Sequence, residues 1–224
     1  MADALEELAL LANGVPPSHP APLMCLRTAR TLVCCDGACA AARVLGREPD
    51  YVVGDGDSLS VAERTALAER FVQVDEQDTN DLAKAFRFAL SLRPQRIAIL
   101  GATGLREDHA LGNIFWLFDF AAAFPAVSMC TDTGVFEVVA AERTFACSPG
   151  DAVSVFSPDR EARVSSHGLV WPLDGVRFAD LHCATLNRAS GASFTIVPTR
   201  PVLVYRTHPR SDATQRCMAS ENMV

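Results

Sequence analysis

The first half of the chain alternates between short apolar runs and longer segments in which apolar residues recur at helical spacing. All but the first of the apolar runs contain β-branched residues, which are common in buried strands. The runs cover residues 8–11, 31–35, 51–53, 71–74 and 96–100. Helical spacing covers residues 39–45, 60–70 and 81–92, and a further segment runs to about Phe120. Strands that alternate with helices form βαβ units. The pattern predicts an α/β fold with a mostly parallel, doubly wound sheet and helices on both faces.

The pattern changes after about Glu137, where the helical spacing disappears. Short alternating runs at residues 151–157, 193–197 and 202–205 take its place, and prolines separate them. Several short strands with turn signals between them are typical of a small sandwich or barrel. We therefore predict an α/β domain over residues 1–136, a smaller all-β sandwich or barrel domain over residues 137–208, and a polar tail over residues 209–224.

Composition and charge narrow the class of protein. Of the 224 residues, 49% are hydrophobic and 21% are charged, as in an ordinary globular protein with a substantial core. The formal net charge of −7 argues against binding to nucleic acid or to an anionic membrane surface. No apolar run reaches the length of about 18 residues that a membrane span needs, and residues 1–7 are acidic where a signal peptide would be basic. We therefore expect a cytoplasmic protein.

The eight cysteines do not indicate a zinc site, because no two of them form the C-x-x-C pair that structural zinc sites usually contain. Cys34 and Cys35 are adjacent and end an apolar run. We expect most of the cysteines to be reduced core residues that behave as small hydrophobes.

Two aspartates flank Gly56 directly after the apolar run at residues 51–53. Carboxylates this close repel each other unless a positive charge lies between them, and Mg²⁺ is usually held by one or two carboxylates together with substrate phosphates. Asp55 and Asp57 are therefore candidate magnesium ligands. For these two residues taken alone, a plain Asp-Gly turn without a ligand is the alternative.

Polar residues follow the carboxyl ends of the strands predicted in the α/β domain. In an open α/β sheet, this edge is where ligands bind. So many polar groups on one edge are hard to attribute to unrelated turns, and we favour a ligand site there. The residues are Asn13, Asp36, Asp55, Asp57, Asp75, Asp78 and the loop at 101–108.

The start of the helix predicted at residues 81–92 adds groups suited to phosphate. Asp78 is expected to cap this helix and Asp81 to lie in its first turn, which is a favourable place for a carboxylate. A helix N-terminus is also an anion site. Lys84 is the only lysine among the 20 basic residues, and it offers a compact point charge for a phosphate oxygen.

The loop at residues 101–109 is a second candidate for phosphate binding. Its glycines let the backbone approach a phosphate, and Arg106 can pair with one through two N–H groups. His109 and Asn113 are four residues apart and share a helix face. The loop matches neither the dinucleotide-binding nor the Walker glycine pattern. A helix-face histidine with no role at the site is the alternative for His109.

The chain contains six segments in a characteristic order: Asp36-Gly37 and residues 54–58, 77–84, 104–109, 167–173 and 185–187. In their order and content, these segments resemble the motifs of the thiamine pyrophosphokinase family. The chain departs from the family pattern in loops, at Ala38, Ala40, Gly56, Leu105 and Leu186, and keeps the acidic residues. The resemblance extends over roughly residues 8–205.

The resemblance implies transfer of the pyrophosphoryl group of ATP to the hydroxyl of thiamine, with Mg²⁺, giving thiamine diphosphate and AMP. The catalytic residues that it implies are Asp55, Asp57, Asp78, Asp81, Lys84 and Asp108. Asp55, Asp57 and Asp78 would bind magnesium, and either Asp57 or Asp81 would accept the hydroxyl proton. Lys84 and Arg106 would hold phosphates. The other residues implied for ATP are Asn13, Gly14, Asp36, Gly37, His109 and Asn113, and those implied for thiamine are Gly168, Trp171 and Asn187.

The resemblance also implies a homodimer with thiamine near the subunit interface and an active site shared between subunits. Trp171 would stack on thiamine, although a tryptophan is more often a core residue. Two other classes of function stay open: a metal-dependent phosphoesterase, and a thiamine- or nucleotide-binding protein without activity.

Overall fold

The computed structural model describes residues 7–209. The chain divides into two compact units between Asp132 and Thr133. The division expected between residues 136 and 137 lies a few residues too late, inside the first strand of the second unit, because the chain bends at residues 132–133 before that strand begins. Apart from Pro209, the polar tail expected over residues 209–224 lies outside the described residues.

The first unit is built on a sheet of six strands. The strand order is β6-β5-β1-β2-β3-β4, and every pairing is parallel. Five strands correspond to the predicted apolar runs, whereas β6 was not predicted. The strands are β1 Glu7–Leu11, β2 Thr31–Cys35, β3 Tyr51–Gly54, β4 Phe71–Gln73, β5 Arg96–Leu100 and β6 Val127–Cys130.

Helices connect these strands. They are α1 Pro20–Thr28, α2 Cys39–Val44, α3 Val61–Leu67, α4 Asp81–Ser91 and α5 Glu107–Ala123, with short 3₁₀ turns at Asp36–Ala38 and Ala68–Arg70. Helix α1 was not predicted because Pro20 and Pro22 interrupt its pattern. Both prolines lie in its first turn, where a missing N–H costs no helical hydrogen bond. The α/β fold class is confirmed.

Helix α4 covers the centre of the sheet, where it packs against β1, β2 and β3. Its buried face includes Leu82, Phe86 and Ala89, at the spacing that the sequence indicated. The helix is capped by Asn80, whose Oδ1 accepts the Ala83 N–H at 2.9 Å. The prediction that Asp78 is the cap was therefore wrong, because the helix begins one residue after Asn80.

The strand order reverses between β1 and β5, and at such a point a crevice opens beyond the carboxyl ends of the strands. The two chain segments leaving this point stay paired, with Gly14 N–H donating to the Gly101 carbonyl at 2.7 Å. A Cβ on Gly14 would lie 2.4 Å from that carbonyl oxygen, so glycine is required there. The loops that follow β1 and β5 are thereby held together at the crevice.

The second unit is a β-sandwich. One antiparallel sheet has the order β11-β9-β13-β7 and the other the order β10-β12-β8. Side chains from both sheets, such as Val153, Val204, Phe194 and Ile196, share one buried core, which distinguishes a sandwich from a barrel. The strands are β7 Gly134–Val139, β8 Arg143–Ala146, β9 Ala152–Phe156, β10 Val164–His167, β11 Ala184–Arg188, β12 Ser193–Pro198 and β13 Val202–Thr207.

A buried carboxylate links strands of both sheets in this unit. Glu137 on β7 accepts from Arg143 on β8 at 2.5 Å and from Arg206 on β13 at 2.6 Å. Both guanidinium groups also lie about 5 Å from the centre of the Phe145 ring. The single Glu137 carboxylate thus pairs with two guanidinium groups at the edge of the core.

Two expectations from composition can be compared with the structure. The seven cysteines among residues 7–209 are all free thiols, and Cys217 lies outside that range. No helix between residues 7 and 209 combines the length and the apolar character needed to cross a membrane.

Candidate functional site

A cleft of about 480 Å³ opens at the carboxyl edge of the parallel sheet. Its walls come from the loops after β1, β3, β4 and β5 and from the first turns of α4 and α5, all within the first unit. Most of the predicted site residues of that unit line it: Asn13, Gly14, Asp55, Asp57, Asp81, Lys84, Arg106, His109 and Asn113. The four that do not are Asp36, Gly37, Asp78 and Asp108.

The loop after β3, residues 54–59, presents two carboxylates to the cleft, and we call it the acid loop. Gly56 adopts a left-handed φ of +80°, which glycine tolerates, and Asp55 and Asp57 flank it in the chain. The Asp57 N–H donates to Asp55 Oδ1 at 3.1 Å, and Gln77 Nε2 donates to Asp55 Oδ2 at 3.2 Å. These hydrogen bonds lower the pKa of Asp55 below its ordinary value. Asp55 is therefore charged at neutral pH, as a carboxylate that could hold a cation must be.

Asp36 lies beneath the acid loop instead of in the cleft wall. Its buried carboxylate accepts the N–H groups of Gly37 at 2.7 Å and Gly56 at 3.0 Å. Burial raises the pKa of Asp36, and these two hydrogen bonds only partly oppose the effect. Asp36 thus joins the loops after β2 and β3 at their backbones, and its contact with the nucleotide stays a prediction.

Three carboxylates can hold one cation here, and the third is not the one predicted. Oxygens of Asp36, Asp55 and Asp57 all lie within 4.8 Å of one another. Asp78 is exposed and belongs neither to this group nor to the cleft wall. It precedes the cap Asn80 by two residues, so the first acid of α4 that reaches the cleft is Asp81. Hard carboxylate oxygens at this spacing suit Mg²⁺.

Lys84 places a buried positive charge in the cleft. Its side chain is 3% exposed, and its Nζ lies 3.2 Å from Asp81 Oδ1. A buried ammonium is costly unless it is paired and hydrogen-bonded. The single lysine of the chain is thus fixed next to the acidic group and borders the same cavity.

The loop after β5 brings Arg106 and His109 into the cleft wall. Arg106 forms a two-point pair with Asp108, at 3.1 Å from Nε and 2.6 Å from a terminal nitrogen. This guanidinium holds the pKa of Asp108 at about 2. Asp108 is therefore engaged by Arg106 outside the cleft lining. Asn113 donates to the Ala102 carbonyl at 2.9 Å, which fixes the loop to α5.

The predicted thiamine residues lie together in the second unit. Trp171 is 56% exposed, which excludes the alternative that it is a core residue. Asn187 is 3% exposed, and its amide accepts Trp171 N–H at 3.2 Å and donates to Trp171 O at 2.6 Å. Gly168 has a φ of +76°, and a Cβ there would meet the Ser193 carbonyl at 2.3 Å. Asn187 and Gly168 thus shape the segment that displays Trp171.

Sequence reasoning missed two residues that act on the acid loop. Gln77 lines the cleft and donates to Asp55, and its only signal was its place in the motif at residues 77–84. Arg64 on α3 donates to the Gly56 carbonyl. Nothing in the spacing of Arg64 distinguishes it from other surface arginines of the chain.

The fold and the cleft define a class of protein. A doubly wound parallel sheet with clustered carboxylates, a buried lysine and glycine loops at its carboxyl edge is typical of proteins that bind metal-complexed phosphates. Residues 24–130 match the family model of the thiamin pyrophosphokinase catalytic domain, and residues 134–205 match that of the thiamin pyrophosphokinase substrate-binding domain. The chain belongs to the thiamin pyrophosphokinase family.

Individual relatives agree with this assignment. The thiamine pyrophosphokinase of Bacillus subtilis is 39% identical over 74 residues, which span 31% of this chain and 35% of that relative. The aligned segment thus spans about a third of that relative's length. A thiamin pyrophosphokinase family protein from Enterococcus faecalis has a TM-score of 0.77 at 21% identity, covering 91% of this chain and 100% of that one. Yeast thiamin pyrophosphokinase has a TM-score of 0.73 at 15% identity, covering 92% and 87%. These structures share the fold.

Proposed function

We propose that this protein is a thiamine diphosphokinase, which transfers the pyrophosphoryl group of ATP to the hydroxyl of thiamine and releases AMP. The observation that carries the proposal is the meeting of Asp55, Asp57, Asp81, Lys84 and Arg106 around one cleft, in a chain of this family. Phosphoryl transfer is catalysed mainly by positioning and by electrostatic stabilisation. In this cleft, the carboxylates can hold a metal ion, and the two basic side chains can bind phosphate oxygens.

The reaction breaks one bond and forms one. The hydroxyl oxygen of thiamine attacks the β-phosphorus of ATP, and the bond from that phosphorus to the oxygen of the α-phosphate breaks, so that AMP leaves. The hydroxyl proton passes to a carboxylate, either Asp57 or Asp81. Lys84 and Arg106 bind phosphate oxygens that carry the developing charge. Asp55 and Asp57, supported by Asp36, would hold Mg²⁺, which neutralises phosphate oxygens when bound.

Thiamine is a flat cation, and the second unit offers a suitable face for it. We propose that the exposed ring of Trp171 stacks on thiamine, since aromatic faces attract cations. Asn187 acts by fixing both backbone polar groups of Trp171. In this assignment Asn187 orients the ring and is not a direct ligand.

We further propose a homodimer in which Trp171 of one subunit works with Asp57 of the other. Supporting this, the described lining of the phosphate cleft comes from the first unit alone, whereas Trp171 belongs to the second. To test this arrangement, the inactive Asp57→Asn protein and the thiamine-defective Trp171→Ala protein are unfolded and refolded together. Random exchange makes half of the dimers mixed, and about a quarter of all sites become intact. Demonstrated exchange without recovered activity would place both residues in the same subunit's site.

Product analysis tests the reaction itself. Purified protein is incubated with ATP, Mg²⁺ and thiamine, and the nucleotides and thiamine esters are separated by chromatography. Equal amounts of AMP and thiamine diphosphate, both absent without thiamine, are expected. Release of inorganic phosphate would indicate a phosphoesterase, and binding without turnover a sensor. Asp55→Asn should abolish turnover, whereas Asp119→Asn, an exposed aspartate of α5, should not.

The compartment is part of the same proposal. We place the enzyme in the cytoplasm, where thiols stay reduced. The free cysteines among the described residues support this location.

A further inference from the structure

The peptide groups of Gly56, between the two candidate magnesium ligands, are held from three sides. The N–H donates to Asp36 Oδ2 at 3.0 Å. The carbonyl oxygen accepts the Leu59 N–H at 3.2 Å and a terminal N–H of the Arg64 guanidinium. Asp36 and Leu59 belong to the loops at the sheet edge, whereas Arg64 reaches the acid loop from helix α3.

Arg64 also packs directly against Gly56. A Cβ built on Gly56 would lie 3.3 Å from the Cζ and Nε atoms of Arg64 and 2.9 Å from Phe71 Cζ. The first turn of α3 is itself fixed by a capping box, in which Ser60 Oγ accepts the Glu63 N–H at 3.2 Å and Glu63 accepts the Ser60 N–H at 2.9 Å. Arg64 follows directly on this turn. The guanidinium therefore comes from an anchored helix start.

We infer that Arg64 is a positioning residue for divalent-ion binding, because it sets the separation of Asp55 and Asp57 through the Gly56 carbonyl. Arg64 does not line the cleft, so it acts through the backbone of the acid loop and not on the substrate. The inference rests on the proposed function in one respect, namely that Asp55 and Asp57 hold the ion.

A guanidinium next to these carboxylates has two opposite effects on the ion. As a positive charge it repels a cation, so its removal would tighten binding. As a donor to Gly56 it keeps the loop in the geometry that the ion needs, so its removal would weaken binding. The repulsion is reduced by solvent, because Asp57 and the cleft are open to water. The direction of the change in ion affinity therefore distinguishes positioning from charge.

The test measures Mn²⁺ binding to the protein alone, by electron paramagnetic resonance of the free ion, without ATP or thiamine. Arg64→Ala and Arg64→Lys should each weaken binding about tenfold, as expected for loss of a charge-assisted hydrogen bond. Arg27→Ala removes an exposed arginine of α1 and should change the affinity by less than about twofold. Asp55→Asn identifies the site, because it should abolish the binding that the Arg64 variants weaken.

Unchanged or tighter Mn²⁺ binding in the Arg64 variants would overturn the inference. Arg64→Lys keeps the charge and the aliphatic stem, so the Mn²⁺ affinity can be measured on this variant if Arg64→Ala does not fold. Product analysis separates this outcome from failure of the proposed function. Wild-type protein that makes AMP while Arg64 variants bind Mn²⁺ normally refutes only the inference. Wild-type protein that makes no AMP, with binding weakened by Arg64→Lys, refutes only the proposed reaction.

Discussion

Replacing Lys84 with methionine should remove most of the activity and leave the fold intact. The ammonium is buried at the cleft, 3.2 Å from Asp81 Oδ1. Methionine is unbranched and flexible like the lysine stem, so it fills the same space without the charge. The substitution therefore tests the charge and not the packing.

The expected change in stability follows from opposing terms at this pair. Two unit charges 3.2 Å apart attract by about 5 kcal/mol at an effective dielectric constant of about 20. Desolvation of the ammonium costs several kcal/mol, and Asp81 is 53% exposed, so water screens the attraction further. The terms nearly cancel, and the free energy of unfolding should change by no more than about 1–2 kcal/mol. A buried charge that adds so little stability is a candidate for function.

The expected change in activity is larger. A hydrogen bond from a charged donor contributes about 1.5–3 kcal/mol, so kcat/KM for ATP should fall about 10- to 150-fold in Lys84→Met. Lys84→Arg keeps the charge but not the compact donor, so its kcat/KM for ATP should lie between those of the wild type and Lys84→Met. Steady-state kinetics are measured beside urea unfolding. Activity within about twofold of wild type would refute the phosphate role, and a stability loss above about 3 kcal/mol would make the role structural.

Three further predictions concern other parts of the molecule. Trp171→Ala should raise KM for thiamine about 2- to 30-fold and leave KM for ATP unchanged, whereas Trp171→Phe should retain most of the affinity for thiamine. The melting temperature of Trp171→Ala should stay near that of the wild type, because the ring is largely exposed. Arg106 lowers the pKa of Asp108, so this carboxylate favours the folded state above its unfolded pKa of about 3.9, and the contribution is lost as the pH falls toward about 2. A carboxyl NMR titration should show that low pKa in wild type and a pKa near the ordinary value in Arg106→Ala. Glu137→Gln should lower the free energy of unfolding in urea by about 2–4 kcal/mol, because two arginines lose their counter-charge, whereas exposed Glu142→Gln should have little effect.

The parallel sheet could be predicted because its strands are buried on both faces and read as continuous apolar runs. Such runs gave β1 to β5 and, with them, the carboxyl edge where the cleft lies. Strand β6 was not predicted because Val127–Cys130 is only four residues long and includes a serine, so its apolar run is weak. Helix α1 was not predicted, because two prolines in its first turn interrupt the helical pattern. These failures concern local pattern and not the fold class.

The candidate site was predictable as a set of residues but not as a set of contacts. Sequence position places Asp36, Asp55 and Asp78 at the same sheet edge, yet it does not give the direction of a side chain. Asp78 and Asn80 are both good caps, and only the start of α4 decides between them. Asp36 could face solvent or turn beneath the next loop, and its contact with Gly56 twenty residues later decides that. Both choices depend on tertiary contacts.

In both units, a buried polar side chain that was predicted to touch a ligand binds the backbone at or next to a candidate ligand-binding residue. Asp36 binds the Gly56 N–H next to Asp55, and Asn187 binds both backbone groups of Trp171. An exposed group loses side-chain and loop freedom when it engages a ligand, and backbone bonds made in advance reduce that loss. Asp36 is also one of the three carboxylates that could hold a cation, so its bond to the backbone is compatible with a ligand role. In the proposed assignment, binding and positioning are divided between neighbouring residues, so residue type alone could locate both candidate sites without assigning the roles within them.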